Sequence, residues 1–398
     1  MKLNKNNKIF ILAGETSSDY IGSCIMKGVK QYNDKINFFG VGGNLMENEG
    51  LSSLYNIKEF NVIGFINTLV KLKKLRNYVN EIVKFIIKEK PKIVITIDTK
   101  GFSLALAKSL KSAFENSDFK CPLIHFVPPT IWAYGKSRLK KWKDLHHELI
   151  CLYKIEEDIF RKYDTKCIYL GNPIIENFLN FQQIKKNQNI DFYRSKKINC
   201  LLLPGSRSSE IKYILPEFIK LIKNTNNKIR NVNWIIPTTK SQYSNVLSEI
   251  NEIKSYPIKV VILENNYELL NDANIAIACS GTITLELVLF NIPTIAVYKT
   301  DFISALIGRM LVNFKNVILP NFLLKENVVP FLFQEKCNYI QMQKMLNNFI
   351  KNIEFQNKIY KGYSKNILKD MGYLNSKSTN FTTNSGKMVI NLINNYKR

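Results

Sequence analysis

Short runs of consecutive apolar residues alternate along this chain with longer stretches in which apolar residues recur at helical spacing. The short runs are mostly continuous and do not alternate with polar residues. Continuous apolar runs are typical of strands that are covered on both faces, as in parallel sheets. The predicted strands are Ile9–Ala13, Asn37–Gly40, Ile93–Ile97, Leu123–Val127, Leu149–Leu152, Ile168–Leu170, Cys200–Leu203, Trp234–Pro237, Val260–Leu263, Ile275–Ala278, Thr294–Val297 and Val317–Leu319.

Helical spacing between these strands is clearest from Leu69 to Lys88 and from Pro216 to Asn224. Strands that alternate with helices indicate an α/β fold. The polar segment Gln182–Asn189 separates two such series, and we predict that it links two doubly wound halves. Ligands of such sheets bind beyond the carboxyl ends of the strands. Functional residues are therefore expected in the loops that follow the strands.

The chain is strongly basic. Its 398 residues carry a formal net charge of +25, and 45% of them are hydrophobic, which is sufficient for two domains with their own cores. The electrostatic field of this positive charge attracts nucleic acid, an anionic bilayer or phosphorylated substrates. A general Lys- and Asn-rich composition accounts for the positive charge equally well. The sequence has no RNP aromatics, zinc finger or recognition-helix motif, so nucleic acid is not an expected partner.

The cysteines and histidines form no disulfide or metal-binding pattern. The seven cysteines are scattered without a C-x-x-C pair, which predicts buried free thiols in a reducing compartment. The three histidines lack zinc-site spacing and no D-x-D motif occurs, so we predict no metal and no other cofactor. No apolar run suits a signal peptide or approaches the roughly 20 residues of a membrane span. These patterns predict a cytoplasmic protein, soluble or bound to a surface.

Two turns in the second half of the chain have the composition of phosphate-binding loops. Leu203-Pro204-Gly205-Ser206-Arg207 follows one predicted strand, and Ser280-Gly281-Thr282 follows another. Such turns can free backbone N–H groups at the start of a helix, where partial positive charge accumulates. Together with Arg207, they predict a diphosphate site that needs no metal, which favours nucleotide-sugar chemistry.

Two glycine-containing loops occur in the first half. Gly14-Glu15-Thr16-Ser17-Ser18-Asp19 follows the first strand and is either a capped turn or a polar rim for a sugar or phosphate. Gly40-Val41-Gly42-Gly43 permits close approach of the backbone to a ligand or to another strand. The second loop lacks the third glycine of a dinucleotide fingerprint, so by itself it indicates little.

Two further residues of the first half have both a structural and a functional interpretation. Asp98 ends a buried strand and either caps the next helix, which the pattern alone favours, or transfers a proton. Trp132 is followed by Arg138, Lys140 and Lys141 and either belongs to the core or stacks on a sugar or base. The acidic run Glu156-Glu157-Asp158 is predicted to be the exposed start of a helix.

Taken in order, these strings resemble the lipid-A-disaccharide synthases, the bacterial glycosyltransferases of endotoxin assembly. The matching residues extend from position 9 to about position 337 at family-like spacing. They are Ala13-Gly14-Glu15, Ser17, Asp19, Gly40-Val41-Gly42-Gly43, Met46, Gly50, Ile97-Asp98, Phe102, Pro129, Trp132-Ala133, Gly171, Pro173, Leu203-Pro204-Gly205-Ser206-Arg207, Glu210-Ile211, Ser280-Gly281-Thr282, Thr284-Leu285-Glu286, Leu319-Pro320-Asn321, Leu323, Pro330 and Gln334.

The resemblance implies a GT-B architecture, in which two Rossmann-like doubly wound domains face each other across a cleft. Residues 1–180 would form the acceptor-side domain, with a C-terminal helix at about 380–398 packed on it, and residues 190–375 would bind the UDP-sugar. The implied reaction is the inverting transfer of 2,3-diacylglucosamine from UDP-2,3-diacylglucosamine to the 6-hydroxyl of 2,3-diacylglucosamine 1-phosphate. The acylated substrates imply peripheral association with the anionic inner face of the inner membrane, and the resemblance leaves a homodimer open.

The resemblance also implies roles for individual residues. Asp98 is expected to be the catalytic base or a residue essential to it, which reverses the preference for a helix cap. The UDP side is expected to comprise Gly205, Ser206, Arg207, Ser280, Gly281, Thr282, Glu286, Asn321 and Gln334. The acceptor side is expected to comprise Gly14, Glu15, Ser17, Asp19, Gly42, Gly43 and Trp132.

The chain departs from the family pattern in several places. Ser18 stands where the family usually has Gly, and Thr99-Lys100-Gly101 stands where it has Ala-Pro-Asp. Phe331 replaces a common carboxylate, and Lys154-Ile155-Glu156 replaces Pro-Phe-Glu. A cation at Lys100 is expected to lower the basicity of Asp98. These changes affect the expected rate and fine specificity more than the reaction class.

Two amphipathic segments are candidates for contact with a membrane. Leu69–Arg76 begins a basic helix, and Ile303–Phe314 places apolar residues at helical spacing around Arg309. Apolar stripes of this kind usually belong to the core, which is the interpretation that the pattern favours. The Lys and Arg flanks and the overall charge support the membrane interpretation instead.

Two other functions remain open from the sequence. Another UDP-sugar GT-B enzyme, such as a diacylglycerol glycosyltransferase or an epimerase, would share the UDP site. It would not be expected to keep the Gly14-Glu15, Trp132-Ala133 and Pro320-Asn321 strings together. A basic membrane-binding homologue without catalysis would tolerate replacement of Asp98 and Arg207.

Overall fold

The computed structural model describes residues 7–57, 69–134, 139, 141–142, 144–187, 197–225, 232–263, 267–311, 313–314, 316–374 and 380–396. The chain divides into two units. The first comprises Met1–Glu176 and Met371–Arg398, and the second comprises Asn177–Asp370. Each unit holds one sheet, and all the strand pairings described are parallel, as the continuous apolar runs predict.

In the first unit, a seven-stranded sheet has the order β3-β2-β1-β4-β5-β6-β7, which is a doubly wound arrangement. Its strands are β1 (Lys8–Ala13), β2 (Asn37–Gly42), β3 (Leu51–Asn56), β4 (Val94–Ile97), β5 (Leu123–Phe126), β6 (Glu148–Cys151) and β7 (Ile168–Tyr169). The helices between and after them are α1 (Thr16–Tyr32), α2 (Asn44–Asn48), α3 (Leu69–Glu89), α4 (Lys100–Glu115), α5 (Ile131–Tyr134) and α6 (Lys154–Arg161). Helix α7 (Pro173–Asn187) begins in this unit and continues into the second.

The second unit has a six-stranded sheet of order β10-β9-β8-β11-β12-β13. Its strands are β8 (Ile198–Leu203), β9 (Val232–Thr238), β10 (Ile258–Ile262), β11 (Ile275–Cys279), β12 (Thr294–Tyr298) and β13 (Phe331–Phe333). Its helices are α8 (Ser208–Thr225), α9 (Tyr243–Glu249), α10 (Tyr267–Asn271), α11 (Ile283–Leu289), α12 (Phe302–Leu311), α13 (Leu319–Leu324), α14 (Tyr339–Lys351) and α15 (Ile353–Asp370), with short 3-10 turns at Asn251–Ile253 and Gln334–Lys336.

The core of each unit forms where the apolar strands meet the apolar faces of the helices. In the first unit, Phe10 of β1 contacts Phe39 of β2 edge to face, and Phe39 contacts Phe85 of α3 in the same way. In the second unit, Trp234 of β9 is fully buried in a cluster of apolar side chains. All seven cysteines are buried free thiols, as predicted.

The last helix, α16 (Phe381–Asn395), belongs to the first unit and packs on α1. Two glycines allow the two backbones to touch. A Cβ atom added to Gly28 would overlap the carbonyl oxygen of Thr382, and one added to Gly386 would overlap the backbone carbonyl of Gly28. A side chain at either position would therefore force the helices apart.

Several elements differ from the sequence prediction. The predicted strand Val317–Leu319 is wrong: Ile318 is the N-cap of α13, and Pro320 lies in the first turn of that helix. Proline fixes φ near the helical value and lacks an N–H that the first turn does not use, so it favours a helix start. The prediction also missed β3 and β13. Both are edge strands, and neither is a run of buried residues.

Most of the predicted linker is helical. Residues 182–187 continue helix α7, because this segment has no glycine or proline to end the helix. The rest of that segment, Gln188 and Asn189, lies outside the described residues, as do Arg138 and Lys140.

Helix α12 does not belong to the core, contrary to the interpretation that the pattern favours. Its large apolar side chains that the structure describes face solvent, with Phe302 at 76% and Met310 at 79% relative exposure. Ile303, Leu306 and Ile307 are also exposed. Helix α3 begins at Leu69 as predicted. Its basic residues Lys73, Lys74 and Arg76 are exposed, and the side chains of residues 69–72 lie outside the described part of the chain.

Candidate active site

The loops after β2, β1, β4, β5 and β6 lie side by side, because these parallel strands are successive neighbours in the first sheet. The segments that follow these strands, each a loop and the first turn of the next helix, contain in the same order Gly43, Glu15, Asp98, Trp132 and Glu156. The carboxyl edge of a doubly wound sheet is the usual place for a ligand. Most of the residues expected on the acceptor side are thus brought to one edge of one sheet.

Asp98 lies on strained backbone directly after β4. Its φ is +48° and that of Thr99 is +42°, a left-handed conformation that costs about 1–3 kcal/mol per non-glycine residue. Three hydrogen bonds hold the loop. The Asp98 N–H donates to the Phe126 carbonyl (2.9 Å), the Ser103 hydroxyl donates to the Asp98 carbonyl (2.8 Å), and the Gly14 N–H donates to the Thr99 hydroxyl (3.1 Å).

The Asp98 carboxylate is accessible and is paired with a cation. Its side chain is 25% exposed, and its Oδ1 lies 3.1 Å from Nζ of Lys100. Thr99, and not Asp98, is the residue before the first turn of α4. Lys100, one of the departures from the family pattern, is therefore the direct partner of the expected base.

Glu156 is buried, so the predicted exposed helix start is wrong at this residue. Only 3% of it is exposed. Its Oε1 accepts the indole N–H of Trp132 (3.0 Å), and its Oε2 accepts the N–H of Tyr153 (3.3 Å). Burial raises the pKa of Glu156 to about 7, while the two hydrogen bonds and the nearby Lys100 ammonium oppose the rise. An acidic run does not indicate burial. The match of Glu156 to the glutamate of the family's Pro-Phe-Glu was the signal that could have indicated it.

The Asp19 carboxylate is occupied by backbone. Its Oδ1 accepts N–H groups from Gly43 (2.8 Å) and Met46 (3.2 Å), and its Oδ2 accepts one from Leu45 (3.1 Å). Burial raises the pKa of this carboxyl, and the three hydrogen bonds work against that rise. A Cβ atom on Gly43 would lie 2.6 Å from Oδ2, and one on Gly42 would lie 2.8 Å from Sδ of Met46. Asp19 and the two glycines thus form one closely packed turn.

The loop from Gly14 to Ser18 starts helix α1. Glu15 is the N-cap residue. The Ser18 hydroxyl accepts the N–H of Glu15 (2.9 Å) and donates to its carbonyl (2.8 Å). Serine in place of the family's glycine therefore closes this turn with its own side chain. Glu15 is half-buried and Ser17 is exposed, so both side chains border the edge of the sheet.

The turn from Gly205 to Arg207 in the second unit is bound to a carboxylate of its own chain. Oε2 of Glu210 accepts the N–H groups of Ser206 (3.0 Å) and Arg207 (3.2 Å), and Oε1 accepts Nη1 of Arg207 (3.0 Å). The prediction that this turn frees its amides for a phosphate is therefore wrong. The Arg207 side chain is 44% exposed, so its guanidinium is the cationic group that this turn presents to solvent.

The second turn is more open. The N–H of Ser280 donates to the Val297 carbonyl (2.9 Å), whereas Gly281 and Thr282 are exposed. A Cβ atom on Gly281 would meet nothing within 4 Å. Glu286 lies in the first turn of α11, and burial raises its pKa to about 7. In the part of the chain that the structure describes, no group donates a hydrogen bond to its carboxylate.

Asn321 and Gln334 hold loops of the second unit. The Asn321 side chain accepts the N–H of Val329 (2.8 Å) and donates to the carbonyl of the same residue (2.9 Å). Gln334 makes the same pair of bonds to Thr300, at 2.8 Å and 2.9 Å. Both amide groups are bonded to backbone and shape the loops around them.

No group of three or more His, Cys, Asp or Glu side chains among the described residues is arranged to hold a metal ion. Metal-independent catalysis stays a prediction.

Two Rossmann-like units define the fold class of the GT-B glycosyltransferases and the related epimerases. A UDP-GlcNAc 2-epimerase from Neisseria meningitidis, solved with UDP-GlcNAc, matches 98% of this chain and 100% of its own with a TM-score of 0.61 and 12% identity. CalG4, the calicheamicin glycosyltransferase, matches 98% of this chain and 99% of its own, with a TM-score of 0.58 and 10% identity. At such identities the likeness shows the fold alone, which is the predicted one.

The chain belongs to the lipid-A-disaccharide synthetase family, whose sequence model matches residues 9–382. The lipid-A-disaccharide synthase of Rickettsia prowazekii is 29% identical over 94% of this chain and 97% of its own length. That of Gluconobacter oxydans is 32% identical over 83% and 78%. A probable mitochondrial lipid-A-disaccharide synthase of Arabidopsis thaliana is 29% identical over 86% and 79%. The family resemblance inferred from the sequence is confirmed.

Proposed function

We propose that this chain is an inverting glycosyltransferase that transfers 2,3-diacylglucosamine from UDP-2,3-diacylglucosamine to the 6-hydroxyl of 2,3-diacylglucosamine 1-phosphate. The products are the β-1,6-linked disaccharide 1-phosphate and UDP. Family membership supports the reaction class. The observation that carries the mechanism is an accessible carboxylate, Asp98, on strained backbone at the carboxyl end of a central strand.

In the proposed step, Asp98 takes the proton of the acceptor 6-hydroxyl while that oxygen attacks the anomeric carbon of the donor. A bond forms between this carbon and the acceptor oxygen as the bond to the UDP oxygen breaks, so one in-line displacement inverts the α-linked donor. A positioned general base contributes about 10²–10⁴-fold to such a step. Lys100 pairs with the Asp98 carboxylate and helps to fix its position.

The leaving UDP is proposed to be bound by the second unit. The Arg207 guanidinium would pair with the diphosphate, and the open turn of Ser280, Gly281 and Thr282 would line it. The half-buried Glu286 carboxylate, whose pKa is raised by desolvation, suits a donor such as a ribose hydroxyl. Asn321 and Gln334 would act through the loops they hold.

The acceptor sugar is proposed to lie along the carboxyl edge of the first sheet. Glu15 and Ser17 would offer polar groups, and the Trp132 ring would stack on the sugar. The backbone of this edge would be positioned by Gly14, Asp19, Gly42 and Gly43. The Asp19 carboxylate is already hydrogen-bonded to this backbone.

Acceptor dependence tests the reaction against the epimerase alternative. UDP-2,3-diacylglucosamine is incubated with the protein and EDTA, with and without the monosaccharide 1-phosphate. We expect UDP and disaccharide to form in equal amounts only when the acceptor is present. Release of UDP or a change in the donor sugar without acceptor would contradict transferase activity.

Replacement of Arg207 by Ala is expected to weaken UDP binding about 10- to 100-fold, because charge-assisted hydrogen bonds contribute about 1.5–3 kcal/mol. Isothermal titration with UDP measures the effect. Arg161→Ala is the matched control, since Arg161 is an exposed arginine of α6 paired only with Asp158 in the described structure. Wild-type affinity in Arg207→Ala would remove this residue from the UDP site.

We further propose that the enzyme works at the cytoplasmic face of the inner membrane and contacts it through α12. None of the helices in the described part of the chain combines the length and hydropathy needed to cross a bilayer. The exposed apolar face of α12 instead suits insertion into the interface, and the net charge of +25 suits anionic lipid.

Substitution of Ile303 and Met310 by Ser is expected to weaken binding to anionic vesicles by at least tenfold, because burial of each such side chain contributes about 1.5–3 kcal/mol. Vesicle sedimentation measures binding. The control is Phe355→Ser on α15, a residue 63% exposed on a different helix. Binding that persists in the double variant would contradict the role of α12, and binding that ignores added salt would contradict the contribution of charge.

A further inference from the structure

Glu210 is a buried carboxylate in the first turn of α8, directly after the turn that carries Arg207. Only 6% of Glu210 is exposed, whereas the Arg207 side chain is 44% exposed. The proposed function assigns Arg207 to the diphosphate of the UDP donor and gives Glu210 no role. A carboxylate is costly to bury unless its oxygens are hydrogen-bonded, so its partners indicate what it does.

Three hydrogen bonds connect Glu210 to this turn, and two of them come from Arg207. Oε2 of Glu210 accepts the backbone N–H groups of Ser206 (3.0 Å) and Arg207 (3.2 Å), and Oε1 accepts Nη1 of the Arg207 guanidinium (3.0 Å). The partial positive charge at the start of this 18-residue helix also favours a carboxylate here. Glu210 therefore holds Arg207 both at its backbone and at the end of its side chain.

Gly205 makes room for this arrangement. Its φ is +108°, a conformation that glycine adopts at no steric cost. A Cβ atom at this position would overlap Oε2 of Glu210. The turn and the carboxylate thus form one closely packed group.

We propose that Glu210 is a positioning residue that holds the Arg207 guanidinium in place for the diphosphate of a nucleoside diphosphate. Arginine has many side-chain conformations, and binding through a guanidinium that is already held loses less of this freedom. Because the carboxylate occupies the two backbone N–H groups, the guanidinium is the group of this turn through which the anion binds. This inference rests on the proposed place of Arg207 in the UDP site.

Replacement of Glu210 by Gln separates the two kinds of contact. The amide oxygen can take the place of Oε2 and accept both N–H groups, but the NH₂ group in the place of Oε1 cannot accept the guanidinium. We expect the affinity for UDP to fall about 3- to 10-fold, within the range of couplings between residues in contact. The affinity for uridine, which has no phosphate, is expected to change less than twofold. Isothermal titration measures UDP binding, and displacement of UDP measures uridine binding.

Glu252→Gln is the matched control. Glu252 is an exposed glutamate of the second unit, and it pairs with Lys223 on the same helix α8. Both affinities are expected to stay at their wild-type values. An equal loss of UDP and uridine affinity in Glu210→Gln would overturn the proposal, because it would indicate a general disturbance of the nucleotide site.

A double-mutant cycle with Arg207→Ala tests whether the effect passes through the guanidinium. We expect Glu210→Gln to weaken UDP binding less than twofold in the Arg207→Ala background. An equal loss in both backgrounds would overturn the positioning of Arg207. Tighter UDP binding by Glu210→Gln would also overturn it, because the carboxylate would then be a substitute for phosphate that the diphosphate displaces.

Circular dichroism and thermal unfolding identify any variant that has lost its fold. If Glu210→Gln has lost it, Glu210→Asp replaces this variant, since the shorter side chain cannot reach both the backbone N–H groups and the guanidinium. Wild-type UDP affinity in Arg207→Ala would refute the proposed UDP site. A weakened Arg207→Ala together with an unchanged Glu210→Gln would refute only this inference.

Discussion

Asp98→Asn is expected to lower kcat about 10³-fold while the affinity for UDP stays within twofold of wild type. Asparagine keeps the size of the side chain but cannot accept a proton, and a general base contributes about 10²–10⁴-fold. The UDP site is expected to be unaffected, because its proposed residues belong to the second unit and Asp98 belongs to the first. Steady-state kinetics and UDP titration measure the two quantities separately.

Asp118→Asn is the matched control for this variant. Asp118 follows α4, the helix that Asp98 precedes, and it lies at the opposite end of that helix in the first unit. We expect wild-type kcat for it. Wild-type turnover in Asp98→Asn would exclude Asp98 as the base, and a loss of UDP affinity equal to the loss of turnover would indicate a general disturbance of the protein.

Gly28→Ala is expected to destabilise the first unit by about 1–3 kcal/mol, the usual effect of overpacking a close contact. The new Cβ atom would overlap the Thr382 carbonyl oxygen, which belongs to backbone and cannot rotate away. Helix propensity alone would predict the opposite sign, since Ala in a helix is about 1 kcal/mol more favourable than Gly. Urea denaturation measures the change in the free energy of unfolding.

Gly362→Ala separates the two effects. Gly362 is also a helical glycine, in α15, but a Cβ atom there would meet nothing within 4 Å. We expect this variant to be as stable as the wild type or more stable by up to about 1 kcal/mol. If Gly28→Ala matched it, the close packing of α16 on α1 would be refuted.

The strands that the sequence predicts correctly are those whose local pattern already expresses burial on both faces. Strand β11 and residues 9–13 of β1 are wholly apolar and lie inside their sheets, so local composition and final environment agree. Edge strand β3 carries polar residues because one of its sides has no neighbouring strand. Its pairing with β2 depends on residues elsewhere in the chain, so no local pattern predicts this strand.

For the candidate site, too, the sequence predicts some features and not others. The place of Asp98 follows from topology, because a residue after a buried parallel strand lies at the ligand-binding edge. The composition of the sequence around Glu156 and Glu210 does not indicate their environments. Glu156 is buried because Trp132, from another loop, and Tyr153 supply donors. Glu210 accepts the amides of Ser206 and Arg207, which lie four and three residues before it in a turn that looks open in the sequence.

The most direct test of the proposed base uses an acceptor in which a thiol replaces the 6-hydroxyl. A thiol has a pKa of about 8.5, so its nucleophilic form is available without a base, whereas an alcohol needs one. We predict that the loss of turnover in Asp98→Asn falls from about 10³-fold with the natural acceptor to less than tenfold with the thiol acceptor. An equal loss with both acceptors would show that Asp98 does not remove the proton of the acceptor.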